Sequence, residues 1–347
     1  MAPAAPPATA QSLPRAVDHL EAIGFSPLGN TPVVIVDLGD AAIAEDAQAL
    51  RARTRAIIVG VRPAGAKACV APACDVVLTD DTTPLPHETQ LRGDLHAEAE
   101  AIATRVRTFP HAAAILCQTL RIVERLDVSD GLHVESLAYS TLLAGGEFQA
   151  WRRRAQADAA EVPRGAAGPI TLQRTDDRLA IVLNDPGARN AMSAAMRDAL
   201  FEALAAALDD PTCPSVEISG AGACFSVGGA LHEFGTATDL AIAHAIRTER
   251  SCARLVQALG SRCTVRLHGA CIGSGFEVAA AAAHRLAAPD TFVQLPEVGM
   301  GLIPGAGGAV MLTRAIGRQR TAFLALSGRR VRITAPVLRG FAAVAAP

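Results

Sequence analysis

The sequence predicts an α/β protein: a small N-terminal α/β segment, a pair of helices, and a larger core in which strands and helices alternate. Three observations predict it. Short β-branched runs alternate with helix-length amphipathic stretches, the pattern of crossover units in largely parallel sheets. Two glycine-rich loops, Ser219–Leu231 and His268–Glu277, directly follow predicted strands. Half of the 347 residues are hydrophobic and aromatics are only 3%, which favours helix-rich layers over a sandwich of short strands.

Taken in order, residues 1–12 read as a tail, because Met1-Ala-Pro-Ala-Ala-Pro-Pro lacks the basic and apolar regions of a signal peptide. Residues 13–107 form the small α/β segment. Val33–Leu38, Ala56–Val61 and Asp75–Thr79 are expected strands, and Ala41–Arg53 and 93–107 expected helices. Residues 108–154 carry two amphipathic helices, 111–126 and 130–143, with Asp130 as N-cap and Gly145-Gly146 as the stop. Ile115, Leu116, Leu120 and Val123 make an apolar stripe that needs a partner surface. Residues 155–169, rich in Ala, Gly and Pro, read as a linker.

The core spans 170–347. Its expected order is strands Ile170–Leu172 and Leu179–Leu183, helix Ala194–Ala207, strand Ser215–Ser219 and the first glycine loop. Helix Asp239–Leu259, strand Thr264–Leu267, the second glycine loop and an alanine-rich helix Val278–Ala283 follow. Strand Arg285–Val293 then leads to a glycine-proline loop. Sites in such sheets form at the carboxyl ends of strands, where both glycine loops fall.

The formal charge is −2, with no basic block, so nothing points to nucleic acid; Arg152–Arg154 reads as a solvated helix end. No apolar run reaches the ~18 residues of a membrane span. The eight cysteines, from Cys69 and Cys74 to Cys271, show neither a C-x-x-C pair nor zinc spacing. They read as reduced, mostly buried thiols, which implies a cytoplasmic protein without a metal.

Chemistry concentrates in two glutamates twenty residues apart. Glu277 ends His268-Gly-Ala-Cys-Ile-Gly-Ser-Gly-Phe-Glu277, and Glu297 lies in Leu295-Pro-Glu-Val-Gly-Met-Gly-Leu-Ile-Pro-Gly-Ala-Gly-Gly308. A glycine turn entering a helix leaves backbone N–H groups free where the dipole favours negative charge. Two carboxylates around such a place suit proton transfer beside a polarised carbonyl. Taken singly, each glutamate has a blander reading, as a helix-terminal or a surface charge.

Residues 170–345 resemble the enoyl-CoA hydratase/isomerase (crotonase) family. The likeness rests on Leu179–Met192, Ser219–Leu231, Gly273–Glu277 and the Glu297 segment, four ordered motifs over about half the chain. It implies a ββα superhelical core with a helical cover, and addition of water to a 2-enoyl-CoA by Glu277 and Glu297. It implies an oxyanion hole from the N–H groups of Gly229 and Ser274, and CoA contacts from Gly229, Ala230, Leu231, His232 and Ser274. CoA enters as part of the substrate, an acyl-CoA thioester of fatty acid metabolism, with no other cofactor. A homo-oligomer, trimer or hexamer, is also implied. Isomerase, hydrolase or decarboxylase chemistry, or a non-catalytic acyl-CoA-binding scaffold, are the alternatives.

This sequence departs from the family pattern at Ser274 (usually glycine), His232 (often lysine), Arg266 (usually apolar) and Ala283 (commonly aspartate). Phe109–Trp151 resembles the family's C-terminal helices, here placed before the core, so the order resembles a permuted or fused member. Residues 13–107 then read as a degenerate remnant of another core. His268 is expected to be a core histidine satisfied by backbone. Tyr139 and Trp151, the only Tyr and Trp, are expected to serve packing.

Overall fold

The computed structural model describes residues 18–39, 41–67, 72–157 and 168–344. The tail expected over 1–12, most of the linker expected over 155–169, and Cys69 lie outside them.

The N-terminal part runs α1 (Glu21–Gly24), β1 (Val33–Asp37), α2 (Ala41–Arg53), β2 (Ile57–Arg62), β3 (Val76–Thr79) and β4 (Thr89–Gln90). The strands lie side by side in chain order, all parallel. Alternation along β2 explains why its sequence is continuously apolar. Ile57, Val59 and Val61 join the main core, whereas Ile58 faces a smaller cluster with Val34, Val36, Leu50 and Val77.

Helices α3 (Leu95–Thr108), α4 (Pro110–Val123), α5 (Val128–Leu143) and α6 (Gly146–Ala157) follow. Of the predicted stripe, Leu116, Leu120 and Val123 are buried in the main core; full burial of one such side chain contributes about 1.5–3 kcal/mol. The partner surface is the core itself, α4 and α5 packing on the helix Gly308–Ile316 (α11 below). The N-cap of α5 is Asp127 and not Asp130. Asp127 has extended backbone and accepts from the Asp130 N–H, which places Asp130 inside the first turn.

The core comprises β5 (Ile170–Thr175), β6 (Arg178–Leu183), α7 (Ala194–Asp209), β7 (Ser215–Gly220), α8 (Leu240–Glu249), α9 (Cys252–Leu259), β8 (Cys263–Leu267), β9 (Ala270–Ile272), α10 (Ser274–Ala280), β10 (His284–Ala287), β11 (Phe292–Gln294), α11 (Gly308–Ile316), α12 (Arg318–Ser327), β12 (Val331–Arg332) and β13 (Ala343–Val344). One sheet has the order β13-β10-β8-β7-β6-β5, parallel except for the β5–β6 hairpin. A smaller sheet, β12-β11-β9, forms the second layer. The chain winds as strand, corner, strand, helix, which is a ββα spiral.

Three expected core elements differ. The helix expected over Asp239–Leu259 is two helices, because Ser251 takes extended backbone and its hydroxyl caps α9 at the Arg254 N–H. The strand expected over Arg285–Val293 is two strands in different sheets. The chain turns between them at Pro289-Asp290, where the Thr291 N–H donates to the Ala288 carbonyl. The alanine-rich helix starts at Ser274, four residues before Val278. Arg266 is exposed, and its Nε lies 2.8 Å from Glu217 on the neighbouring strand, because that face of β8 meets solvent.

Candidate active site

Both glycine loops owe their shape to close backbone approach. In the first, Asn190 is fully buried with φ 53°, and its Nδ2 donates to the carbonyls of Ala221, Cys224 and Phe225. Ser226 Oγ donates to the Asn190 carbonyl (2.7 Å) and accepts from the Gly228 N–H (3.2 Å). These bonds bring Gly229 alongside Met192. In the second loop Gly273 has φ 47°, and a Cβ there would lie 2.7 Å from Glu297 Oε1. Only glycine takes that conformation without strain and admits the carboxylate. The Ile272 N–H donates to the Ser226 carbonyl (3.0 Å), which ties the loops together. Among the described residues, neither the Gly229 nor the Ser274 amide donates a hydrogen bond within the chain. Ser274 Oγ is buried and has no partner either.

Three carboxyl groups meet beside these loops. Glu277, on α10 and 2% exposed, accepts at Oε2 from the N–H groups of Ala306 (2.7 Å) and Gly308 (3.0 Å). Glu297, 7% exposed, opens a 3-10 turn, and its Oε2 makes no hydrogen bond. The third is Glu135 on α5, 2% exposed. Its Oε1 accepts from the Gly307 N–H and its Oε2 from the Ala309 N–H, both at 2.7 Å. The entry into α11 is thus held from two sides, by Glu277 of the core and by Glu135 of the preceding helices.

Among the described residues, none of the three carboxyls has an Arg, Lys or His within ion-pair distance; the partners they do have are backbone amides. Burial raises the pKa of all three. The charge of Glu277 raises Glu135 further, and the charges of Glu277 and Glu135 raise Glu297 well above the ordinary glutamate value. Like charges in one desolvated place do not all ionise together. Backbone N–H groups stabilise the charged form of Glu277, whereas Glu297 Oε2 has no donor. The cluster therefore sets two carboxyls held by amide donors, Glu277 and Glu135, beside one whose Oε2 has none, Glu297.

A cavity of about 740 Å³ opens onto the cluster. Met192, Gly229, Ala230, Phe234 and Ser274 line it from the core, Leu132, Tyr139 and Leu143 from α5, and Ile242, Ile246 and Arg247 from α8. Of the residues singled out in the sequence, Glu277, Glu297, Gly229, Ala230 and Ser274 come together here. Leu231 and His232 do not line the cavity. They sit on the exposed turn beside it, with Leu231 54% exposed and His232 Nε2 3.9 Å from Glu233. His268 has the expected backbone partner, its Nε2 3.0 Å from the Gly222 carbonyl oxygen, but it is only half-buried and not part of the core. Tyr139 is no mere packing residue, since its ring forms part of the cavity wall. Trp151 does pack, against Phe148 and Phe234. Sequence reasoning passed over Glu135 and Arg247. Among the described residues no group of three His, Cys, Asp or Glu side chains is arranged to hold a metal ion, and no helix is long and apolar enough to cross a membrane.

Comparison with known proteins decides the family. Residues 179–347 match the family model described as enoyl-CoA hydratase/isomerase. These residues belong to the enoyl-CoA hydratase/isomerase family. The core is 31% identical over 162 residues to the 2,3-dehydroadipyl-CoA hydratase of Escherichia coli (strain K12), a match covering 47% of this chain and 63% of that one. It is 34% identical over 175 residues to the fatty acid oxidation complex subunit alpha of Shewanella sp. (strain W3-18-1), covering 47% of this chain and 24% of that one. A solved enoyl-CoA hydratase from Thermoplasma volcanium GSS1 superimposes with a TM-score of 0.47 and 29% identity, covering 52% of this chain and 72% of that one. The chain therefore spans less than two thirds of the curated relatives it matches here. Glu135 and Tyr139 lie outside the residues that match the enoyl-CoA hydratase/isomerase model.

Proposed function

We propose that the protein catalyses the reversible addition of water to 2-enoyl-CoA thioesters. One observation carries this reading. Two buried carboxyls in unlike protonation environments border one cavity, next to two backbone amides with no partner inside the chain among the described residues.

In this route the thioester oxygen accepts from the Gly229 and Ser274 N–H groups, and negative charge develops there as the double bond is attacked. Glu277, ionised, takes a proton from water as the water oxygen bonds to C3. The electron pair of the double bond moves towards the carbonyl, giving an enolate. Glu297 then delivers its proton to C2. Glu277 ends with one more proton and Glu297 with one fewer; exchange between them or with water restores the start. CoA takes part only as the carrier of the acyl group. Isomerisation needs a single carboxyl to shuttle a proton, so a second carboxyl carrying a proton favours hydration. The curated relative named as a hydratase supports the same choice.

Crotonyl-CoA is the direct test. The folded protein should remove its thioenoyl absorbance and yield the 3-hydroxy thioester. Persistence of that absorbance, with a thioester demonstrably bound, would sink the hydratase reading.

A further inference from the structure

Arg247 is the one cation on the cavity wall that has no carboxylate partner among the described residues. Its neighbours on the wall are paired: Arg197 with Asp198 at 2.8 Å, and Arg250 with Asp198 at 3.2 Å and Glu202 at 3.6 Å. Arg247 Nη1 donates to Ser136 Oγ (3.2 Å), Ser140 Oγ (3.3 Å) and the Ala243 carbonyl (3.2 Å), all neutral acceptors. Its Nε and Nη2 make no hydrogen bond within the described residues. The guanidinium carbon stands 4.6 Å from the centroid of the Tyr139 ring. Desolvation lowers the pKa of Arg247, yet guanidinium stays charged in proteins. A half-buried positive charge is therefore held in place by hydroxyls and an aromatic face; the charge of Glu135 favours it from farther off, and among the described residues no carboxylate lies within ion-pair distance of it.

Its position follows from its contact with Tyr139. Tyr139 lies against Gly305, where a Cβ would come within 2.3 Å of its Cδ2. Gly305 immediately precedes the amides of Ala306 and Gly308 that hold Glu277. Along this wall the order is thus Glu277, its amide cradle, Tyr139, then Arg247. The stretch matching the family's CoA contacts begins at Gly229, on the first glycine loop, whereas Arg247 stands on α8. With C2 and C3 at the two glutamates, the cation bounds the same cavity one step beyond the amide cradle of Glu277.

We propose that the protein acts on 2-enoyl thioesters whose acyl chain ends in a carboxylate, and that this carboxylate pairs with the free Nε–Nη2 edge of Arg247. A planar guanidinium edge with two parallel donors matches a carboxylate bidentately. The proposal rests on the acyl-thioester reading of the cavity. The phosphates of CoA are the other possible source of an anion, and the test separates the two.

Binding of saturated thioesters, which cannot be hydrated, is measured by calorimetry: hexanedioyl- and octanedioyl-CoA against hexanoyl- and octanoyl-CoA. At one chain length or both, the dicarboxylate half-thioester should bind about 10- to 100-fold more tightly, the range for hydrogen bonds to a charged group. Arg247→Met, which keeps an apolar stem on Tyr139, should weaken the dicarboxylate at least tenfold more than the monocarboxylate. Arg247→Lys, which keeps a charge, should retain part of the preference. No preference in the native protein at either length overturns the proposal. So does equal weakening of both classes by Arg247→Met, which would assign the cation to CoA or to the fold. A carboxylate preference in a protein that leaves crotonyl-CoA and the dicarboxylic enoyl thioesters unhydrated would keep this inference and remove the hydratase reading instead.

Discussion

Buried carboxylates occur in two regions of this molecule, and they are treated in opposite ways. In the N-terminal sheet each has a guanidinium. Arg62, fully buried at the end of β2, places Nε 2.5 Å and Nη2 2.7 Å from the two oxygens of Glu88, and Nη1 3.1 Å from Asp81. Asp75 lies between Arg51 and Arg121. In the core, Glu135, Glu277 and Glu297 are equally buried and have backbone amides or nothing at all. The N-terminal sheet and, apart from the β5–β6 hairpin, the larger core sheet both stack parallel strands in chain order. The difference lies at the strand ends. Core strands open into glycine loops whose amides stay free, whereas the ends of β2 and β3 are closed by ion pairs. Parallel strand order alone does not make a site; a buried acid left without a cation, next to a free donor, does.

The sharpest way to break the comparison is to remove one core acid. Glu277→Gln and Glu297→Gln should each lower kcat on an enoyl-CoA about 100-fold or more, the usual contribution of a general acid or base. Thioester affinity should change far less, and near-normal turnover in either variant would contradict the assigned roles.

Removing a cation from the other region should act on stability instead. Arg62→Met strands Glu88, and breaking a buried ion pair costs about 3–5 kcal/mol. The melting temperature should fall clearly while kcat per folded molecule stays at the native level. A loss of kcat without a loss of stability would mean that the two regions are not separate in role.

A third variant sharpens the account of the free amides. Ser274 is the first residue of α10, a place where a helix tolerates proline. Ser274→Pro removes one N–H and should cost roughly 100-fold in kcat, whereas Ser274→Gly should preserve or raise activity, since Ser274 Oγ has no partner. Abolished turnover in Ser274→Gly, with the fold intact, would assign the hydroxyl a role of its own.

How much of this could be read from the chain follows the same division. Glu277, Glu297, Gly229 and Ser274 sit in glycine patterns that record local backbone needs, so local sequence exposes them. Glu135 is 172 positions from the Gly307 amide it binds. Along an amphipathic helix it looks like any solvated charge, and only the packing of α5 on α11 makes it buried. Tyr139 and Arg247 become a pair only when α5 meets α8. The break at Ser251 in the helix expected over Asp239–Leu259 was legible in principle, since serine is a favoured N-cap, but the apolar period runs straight through it. Arg266, where the family usually has an apolar residue, is explained only by the fold, because its face of β8 meets solvent.

The central claim is that the core acids lack compensating charge and therefore keep protons that ordinary glutamates have lost. Carbon-13 NMR titration of the glutamate carboxyls tests it directly, with resonances assigned by making Glu277→Gln, Glu297→Gln and Glu135→Gln one at a time. Glu297 should titrate well above the ordinary glutamate value of 4.5, and Glu277 and Glu135 should be pushed up to about 7 and about 8. Glu135→Gln should move the Glu297 midpoint down, because it removes a neighbouring negative charge. Full ionisation of all three carboxyls at or below pH 4.5 would contradict the claim.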